Sequence, residues 1–492
     1  MISIRVKLTV VLLFLNFSVY ANFDFNANCI KAYEEVLSLR LSSARTLIAL
    51  EKKNNPKNSI PYLLDNYVDY FTIMTSESRS DFERLKNNKS ARLIRIEQDD
   101  PKSPFYLFAQ AEINLQWALT RGRFQEYFAS AIEINKAYKY LQENNIKFPN
   151  FLPNQKNLGM INALLGSLPG GLKKTMSTFG IQGNTQTGVR MLESLIIKLP
   201  KSSYAYFYDE VVFSLSYVKL DILNDTGSYK NILKNTESID TSSLLRVYMR
   251  SYAAMKTGHN AQAIATIVSR PKGNQYETFP YLDYLLGIAN MRKLDQDASI
   301  YLKTYIQNYK GINYVKDAYL NLAWLALVKG NKSGYQENIN MVKLKGYSYH
   351  EKDKQALNEA NYPISDVSLL KSRLLFDGGY YDKALAAIKN EKVDGFKILR
   401  DKIEYCYRLG RIYDEMQEDD IAIKFYQFAI NLGRNKKYYF AANSAVRIGT
   451  IYEKKKNFPQ AKVFYELAVD MKGHDYENSI ENKAKEGLKR IN

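Results

Sequence analysis

The chain has 492 residues, with 69 Lys and Arg against 51 Asp and Glu for a formal net charge of +18. Length alone allows roughly three ordinary domains or one continuous repeat array, while scarce proline and abundant Leu, Ala, Lys, Glu and Ile favour long helices. Tyrosine (39) and phenylalanine (23) far outnumber tryptophan (two), which fits the half-buried surfaces of thin helical layers and argues against one thick dry core. The positive charge points to an anionic partner, but no zinc-finger, RRM or KH signature is present, so nucleic acid is excluded in favour of acidic proteins or anionic lipid headgroups.

In chain order, MISIRVKLTVVLLFLNFSVYA places Arg5 and Lys7 ahead of an apolar run ending in small residues, the form of a secretory signal peptide. Residues 1–21 are therefore expected to be removed after Ala21, which leaves a mature charge of +16, two fewer than the whole chain. The uncharged run from Leu8 to Ala21 falls short of the roughly 20 residues that cross a bilayer, and no later segment is long and apolar enough. Residues 22–150 read as a helical region with degenerate repeats, in which Ala44, Ile48 and Pro56 keep a repeat spacing. Residues 151–190 read as a glycine-rich connector. Its GSLPGGLKKT imitates a phosphate-binding loop, but Leu172 separates Gly171 from Lys173 and the preceding QKNLGMINALL has a helical pattern where that motif needs a strand. Residues 191–345 carry helical hairpins around Ala263 and Tyr335, turning at Gly258 and Gly330. A polar insertion at 346–366 predicts a protruding loop or short helix, and residues 367–492 hold the clearest repeats, beginning with a hairpin at Gly379 and Ala384.

Two units there superimpose with a 39-residue period: Gly410, Tyr413, Ala422, Tyr426 and Ala429 fall on Gly449, Tyr452, Ala461, Tyr465 and Ala468. Gly and Tyr are three apart on the first helix, and Ala, Tyr and Ala are four and then three apart on the second, so each set shares one helix face. The small residues predict close helix approach, with tyrosines filling the groove between one hairpin and the next. This pattern resembles the tetratricopeptide repeat, whose usual period is about 34 residues. The resemblance implies an all-α, tetratricopeptide-like helical-hairpin solenoid winding as a right-handed superhelix, irregular in its N-terminal half. The central segment is also similar to one in the family of the yeast inclusion-body clearance protein and its animal relatives: Ser167, Leu168 and Pro169 are followed by Gly180, Gly183 and Gly188, with Ile181, Asn184 and Thr185 replacing that family's Phe, Asp and Arg. That likeness implies an adaptor without catalysis.

Chemistry-bearing patterns are few. His259, His350 and His474 are isolated from one another, no HExxH, CxxC or GxSxG occurs, and neither metal nor cofactor is expected. Cys29 and Cys406 are expected to be free thiols. Carboxylates from distant repeats can still meet in space, which spacing alone does not reveal. Tetratricopeptide arrays bind along the concave surface lined by first helices, and the exposed positions expected there are Glu404, Tyr407, Arg411 and Asp414 in one unit and Asn443, Thr450 and Glu453 in the next. The leading expectation is an exported, non-catalytic scaffold, periplasmic or secreted and in contact with an outer membrane, that binds a protein or peptide within an envelope secretion or assembly complex. The alternative is a glycan-binding outer-surface protein on the same scaffold, similar to the starch-binding outer-membrane family, and a third is a hydrolase or lyase on a helical toroid.

Overall fold

The computed structural model describes residues 23–168, 173, 177 and 182–491. Every regular element among them is helical. Successive helices pair as antiparallel hairpins, among them Ala27–Leu37 with Leu41–Asn54, Pro104–Arg123 with Tyr127–Lys147, Leu244–Lys256 with Asn260–Val268, Val315–Val328 with Lys332–Leu344, Leu399–Glu415 with Asp419–Gly433, and Phe440–Lys454 with Phe458–Asp470. The first helix of a pair also packs on the first helix of the next, and Glu477–Ile491 covers the last hairpin.

The small-residue code of the C-terminal units works as its spacing predicts. Tyr426 and Tyr465 are wholly buried, and Ala422, Ala429, Ala461 and Ala468 are at most 1% exposed. The Tyr426 ring lies flat against Gly410, where a Cβ would stand 2.5 Å from Cδ1. Tyr465 is clamped from both sides, because a Cβ on Gly449 would lie 2.7 Å from the ring and one on Gly487 would lie 2.4 Å from it. Each phenol then reaches a carboxylate on its own hairpin: Tyr426 donates to Asp414 at 3.0 Å and Tyr465 to Glu453 at 2.5 Å. The acceptors also stand one 39-residue period apart, so the hydrogen bond is part of the repeat.

Hairpin turns use a left-handed residue. Gly258, Gly330 and Gly379 take it at no steric cost, as expected, but the two clearest repeats place Gln417 (φ 65°) and Lys456 (φ 58°) there. Gln417→Gly and Lys456→Gly are each expected to stabilise the C-terminal repeats by about 0.5–1 kcal/mol, since a Cβ in this region costs more than the added freedom of the unfolded glycine. A rise in the melting temperature of each variant checks this, and a fall would show that the side chain contributes more than its strain.

Three segments refine the expectation. The described residues of the glycine-rich connector are largely helical, Pro153–Ser167 packing on Thr185–Lys198 with backbones in contact: a Cβ on Gly188 would meet the Gly159 carbonyl at 2.4 Å. Of the segment compared with the clearance-protein family, Pro169, Gly180 and most of the phosphate-loop mimic lie outside the described residues. The polar insertion takes the second of its two expected forms, a short helix, Glu351–Glu359, and is packed because wholly buried Asp353 accepts the backbone N–H groups of Tyr314, Lys316 and Asp317 at 2.6–3.2 Å and caps the Val315–Val328 helix. Finally, Tyr281–Arg292 with Ala298–Asn308 is a repeat that the sequence conceals: Gly287 faces Leu302 instead of a tyrosine, and Leu294 takes the turn in place of a glycine.

The N-terminal helices fold back onto the middle of the array. Ser38 and Leu39 carbonyls accept from the Leu244 and Glu277 N–H groups at 3.3 and 2.8 Å, and Arg40 pairs with Asp240 at 3.1 Å. Farther along, Glu77 accepts from the Tyr309 hydroxyl at 2.5 Å and from Asn313 at 3.0 Å. Leu39 accordingly belongs to the apolar core of the middle repeats, and Ile312 to that of the N-terminal ones.

Candidate functional site

The seven residues expected on the concave C-terminal face do not form a free surface. Glu404 and Tyr407 are only 3% and 1% exposed. One turn along its helix, Arg408 grips Glu404 through two bonds at 2.8 and 3.0 Å, with Arg400 at 3.6 Å. Burial pushes the Glu404 carboxyl up, but Arg408, Arg400 and Arg373 overcome it and hold the group below its ordinary value. Asp414 and Glu453 are occupied by the tyrosine hydroxyls, Glu453 also takes Arg490 at 2.7 and 2.9 Å, and Thr450 donates to the Val446 carbonyl. Only Tyr407, Arg411 and Asn443 converge: the Tyr407 oxygen accepts from Arg411 Nη1 at 3.0 Å and from Asn443 Nδ2 at 2.7 Å. The physical reason is the thinness of the array, in which positions flanking the packing motif turn toward the next hairpin: Glu404 and Tyr407 are buried by it, and Arg411, Asp414, Asn443, Thr450 and Glu453 are half-buried.

The fold-back of the N-terminal helices encloses a different site, a cavity of about 520 Å³. Its walls come from the helices Ile60–Ser76, Pro104–Arg123, Tyr208–Tyr217 and Leu244–Lys256, closed by segments near 279–281, 309–314 and 349–350. Aromatic rings dominate: Tyr248 stands 5.6 Å from Phe279 and 6.0 Å from Tyr281, which lies 4.8 Å from Tyr314. Burial raises the Tyr70, Tyr217 and Tyr248 phenols, so they stay neutral, and among the described residues their hydroxyls meet no hydrogen-bond partner. One end of the cavity carries Arg123, paired through Nε with Glu77 at 3.3 Å.

The other end carries Glu112 and Glu210, the distant carboxylates that spacing could not place. Lys156, 1% exposed, joins them at 2.8 and 2.7 Å. Gln116 and Asn157 complete Glu112 at 3.0 and 2.6 Å, while the Tyr33 and Tyr67 hydroxyls donate to the remaining Glu210 oxygen. Burial raises the Glu210 carboxyl against the pull of Lys156. All four carboxylate oxygens hold protein donors, so the cluster acts as a strut between three helices.

His350 closes the Arg123 end. Its Nδ1 accepts the Lys352 N–H at 3.1 Å, so the proton sits on Nε2 and is donated to the Tyr314 oxygen at 3.1 Å. Burial, and after it Arg123, Lys352 and Lys354, lower the imidazole to about 4. The fold thus holds fewer protons than the unfolded chain between an ordinary pKa near 6.5 and about 4, and the stability this residue contributes is lost as pH falls through that window. Between pH 7 and 4.5 the melting temperature is expected to drop more steeply in the wild type than in His350→Asn; parallel curves would exclude the linkage.

Sequence reasoning missed this cavity because its lining spans residues 70–350 with no local spacing in common; the tyrosine content was the one hint. Among the described residues no helix is long and apolar enough to cross a membrane. None of the curated proteins compared is similar enough to count as a relative. The family model described as tetratricopeptide repeat matches residues 403–435 and 442–475, which are the two hairpins in which tyrosine is packed on glycine, so this all-α array is built on tetratricopeptide repeats in its C-terminal part.

Proposed function

We propose that the chain is an exported, non-catalytic scaffold that receives a segment of a partner protein in the cavity between its N-terminal and middle helices. The observation that carries this reading is the cavity itself: about 520 Å³, the size of a pocket that takes a small molecule or a few side chains of a partner segment (roughly 300–1,000 Å³), lined by tyrosine faces and set in a repeat array of the kind that presents concave binding surfaces. Export rests on the Arg5 and Lys7 flank and the apolar run to Ala21. Cell fractionation with N-terminal sequencing is expected to find the mature chain in the envelope or medium, beginning at Asn22; an intact Met1 in the cytosol would overturn that part.

Binding is tested by retention of envelope proteins on the immobilised mature chain and on Ser214→Phe, which places a ring in the cavity. The expected result is one protein held by the wild type and lost from the variant at equal thermal stability. Retention by both would overturn the cavity as the binding site. A glycan partner is the second reading, favoured by the unpartnered Tyr70, Tyr217 and Tyr248 hydroxyls beside aromatic faces; a glycan array that labels the wild type but not Ser214→Phe would select it.

A further inference from the structure

The 39-residue register of the C-terminal repeats places Asn443 where the preceding unit has Glu404, and Arg447 where it has Arg408. In the first unit the arginine is neutralised by its carboxylate at 2.8 Å. In the second unit the carboxylate has become an amide, and among the described residues neither an ion pair nor a hydrogen bond reaches the Arg447 side chain. Arg411, one turn beyond Arg408, has no carboxylate either. Its Nη1 donates to the Tyr407 oxygen at 3.0 Å, its guanidinium lies 4.5 Å from the centre of the Phe376 ring, and its buried Nε meets no acceptor. Lys483, on the covering helix Glu477–Ile491, likewise has no ion pair or hydrogen bond among the described residues.

These groups feel one another. Burial, then Arg447, depresses the Lys483 ammonium, with Arg411 adding to the effect and Glu486 opposing it last. Burial raises the Tyr407 phenol, yet Arg411, Arg447 and Arg408 together bring it below its ordinary value. Two of the nearby carboxylates are engaged elsewhere, Glu404 by Arg408 and Arg400 and Asp414 by Tyr426, and Glu415 and Glu486 make no ion pair among the described residues. Cations outnumber the carboxylates that reach them here: Glu415 and Glu486 act on Arg411 and Lys483 only as the last of their influences, while Glu404 Oε2, 3.6 Å from Arg400, is a buried oxygen without a hydrogen bond.

We propose that Arg411, Arg447 and Lys483, with Asn443, form an anion site that takes the side-chain carboxylates of an acidic segment in the partner protein. The inference rests on the protein-binding reading above and supplies the partner's chemistry. A run of carboxylates fits better than one compact anion because the three cations stand on three successively packed helices, Leu399–Glu415, Phe440–Lys454 and Glu477–Ile491. Packed helices lie roughly 8–10 Å apart, and alternate residues of an extended segment repeat at about 7 Å. Arg411, already held by the Tyr407 oxygen and the Phe376 ring, also needs little further ordering when the ligand arrives.

The test uses the full mature chain and fluorescent hexaglutamate, with hexalysine and inorganic phosphate as separate arms. Hexaglutamate is expected to bind and to weaken as salt rises, hexalysine not to bind, and phosphate to compete only at concentrations at least 100-fold higher. Arg447→Gln is expected to weaken hexaglutamate about ten-fold. Asn443→Glu restores the carboxylate of the preceding repeat, and is expected to weaken binding by at least as much while leaving the melting temperature unchanged or higher. Unchanged affinity in both variants, or phosphate competing as well as the peptide, overturns the inference. The protein-binding reading has its own readout in Ser214→Phe: a partner lost from that variant but held in full by Asn443→Glu would sink the anion site and leave the scaffold standing.

Discussion

Lys156→Met is expected to destabilise the N-terminal half by about 3–5 kcal/mol, the cost of breaking a buried ion pair from one side. The substitution removes the only cation bonded to Glu112 and Glu210 among the described residues and leaves two carboxylates in a site where Lys156 is 1% exposed. It also leaves Tyr67 without the ammonium at 3.1 Å. The loss is a matter of uncompensated charge more than of the pair's own strength, so Lys156→Met combined with Glu112→Gln and Glu210→Gln is expected to recover most of it. A repeat array of this length need not melt in one step, so the measurement is hydrogen exchange of the Ile60–Ser76, Pro104–Arg123 and Tyr208–Tyr217 helices. A single variant within about 1 kcal/mol of wild type would show that the cluster is not a strut.

The second large effect is expected at Tyr465. Tyr465→Ala empties the slot between Gly449 and Gly487 and should cost the last two repeats about 3–5 kcal/mol, the range for deleting a buried aromatic ring. The cause can be isolated. Gly449→Ala places a methyl 2.7 Å from the Tyr465 ring, and overpacking of that kind costs about 1–3 kcal/mol. In the Tyr465→Ala background the same methyl meets open space, so the two losses should fall well short of additive. Simple additivity, read from exchange protection of the Phe440–Lys454 and Phe458–Asp470 helices, would mean that glycine is not there for the ring.

These two predictions divide along what the sequence disclosed. The Tyr465 slot was legible because its parts recur at a fixed offset, and recurrence exposes any interaction made within a hairpin or between neighbouring hairpins. The same offset held information that the sequence reading left unused: Asp414 and Glu453 repeat in step with Tyr426 and Tyr465, which marks them as acceptors for buried hydroxyls and not as exposed binding positions. The Lys156 cluster and the aromatic cavity were illegible because contacts across tens to hundreds of residues follow no period. The hidden hairpin at Tyr281–Asn308 shows a third case, in which Leu302 fills the groove by volume alone and a repeat survives without its signature residue.

The hydrogen bonds that tie Ser38 and Leu39 to Leu244 and Glu277 give the molecule a clasp, and a clasped chain tolerates a cut. In an open stack of hairpins, a protease nick divides the body into pieces that drift apart once the neighbouring interface loosens. Here a nick anywhere between those anchor points leaves both fragments fastened at two places, once across the local hairpin packing and once across the clasp. The nicked protein should therefore elute as a single species under native conditions and separate only in denaturant.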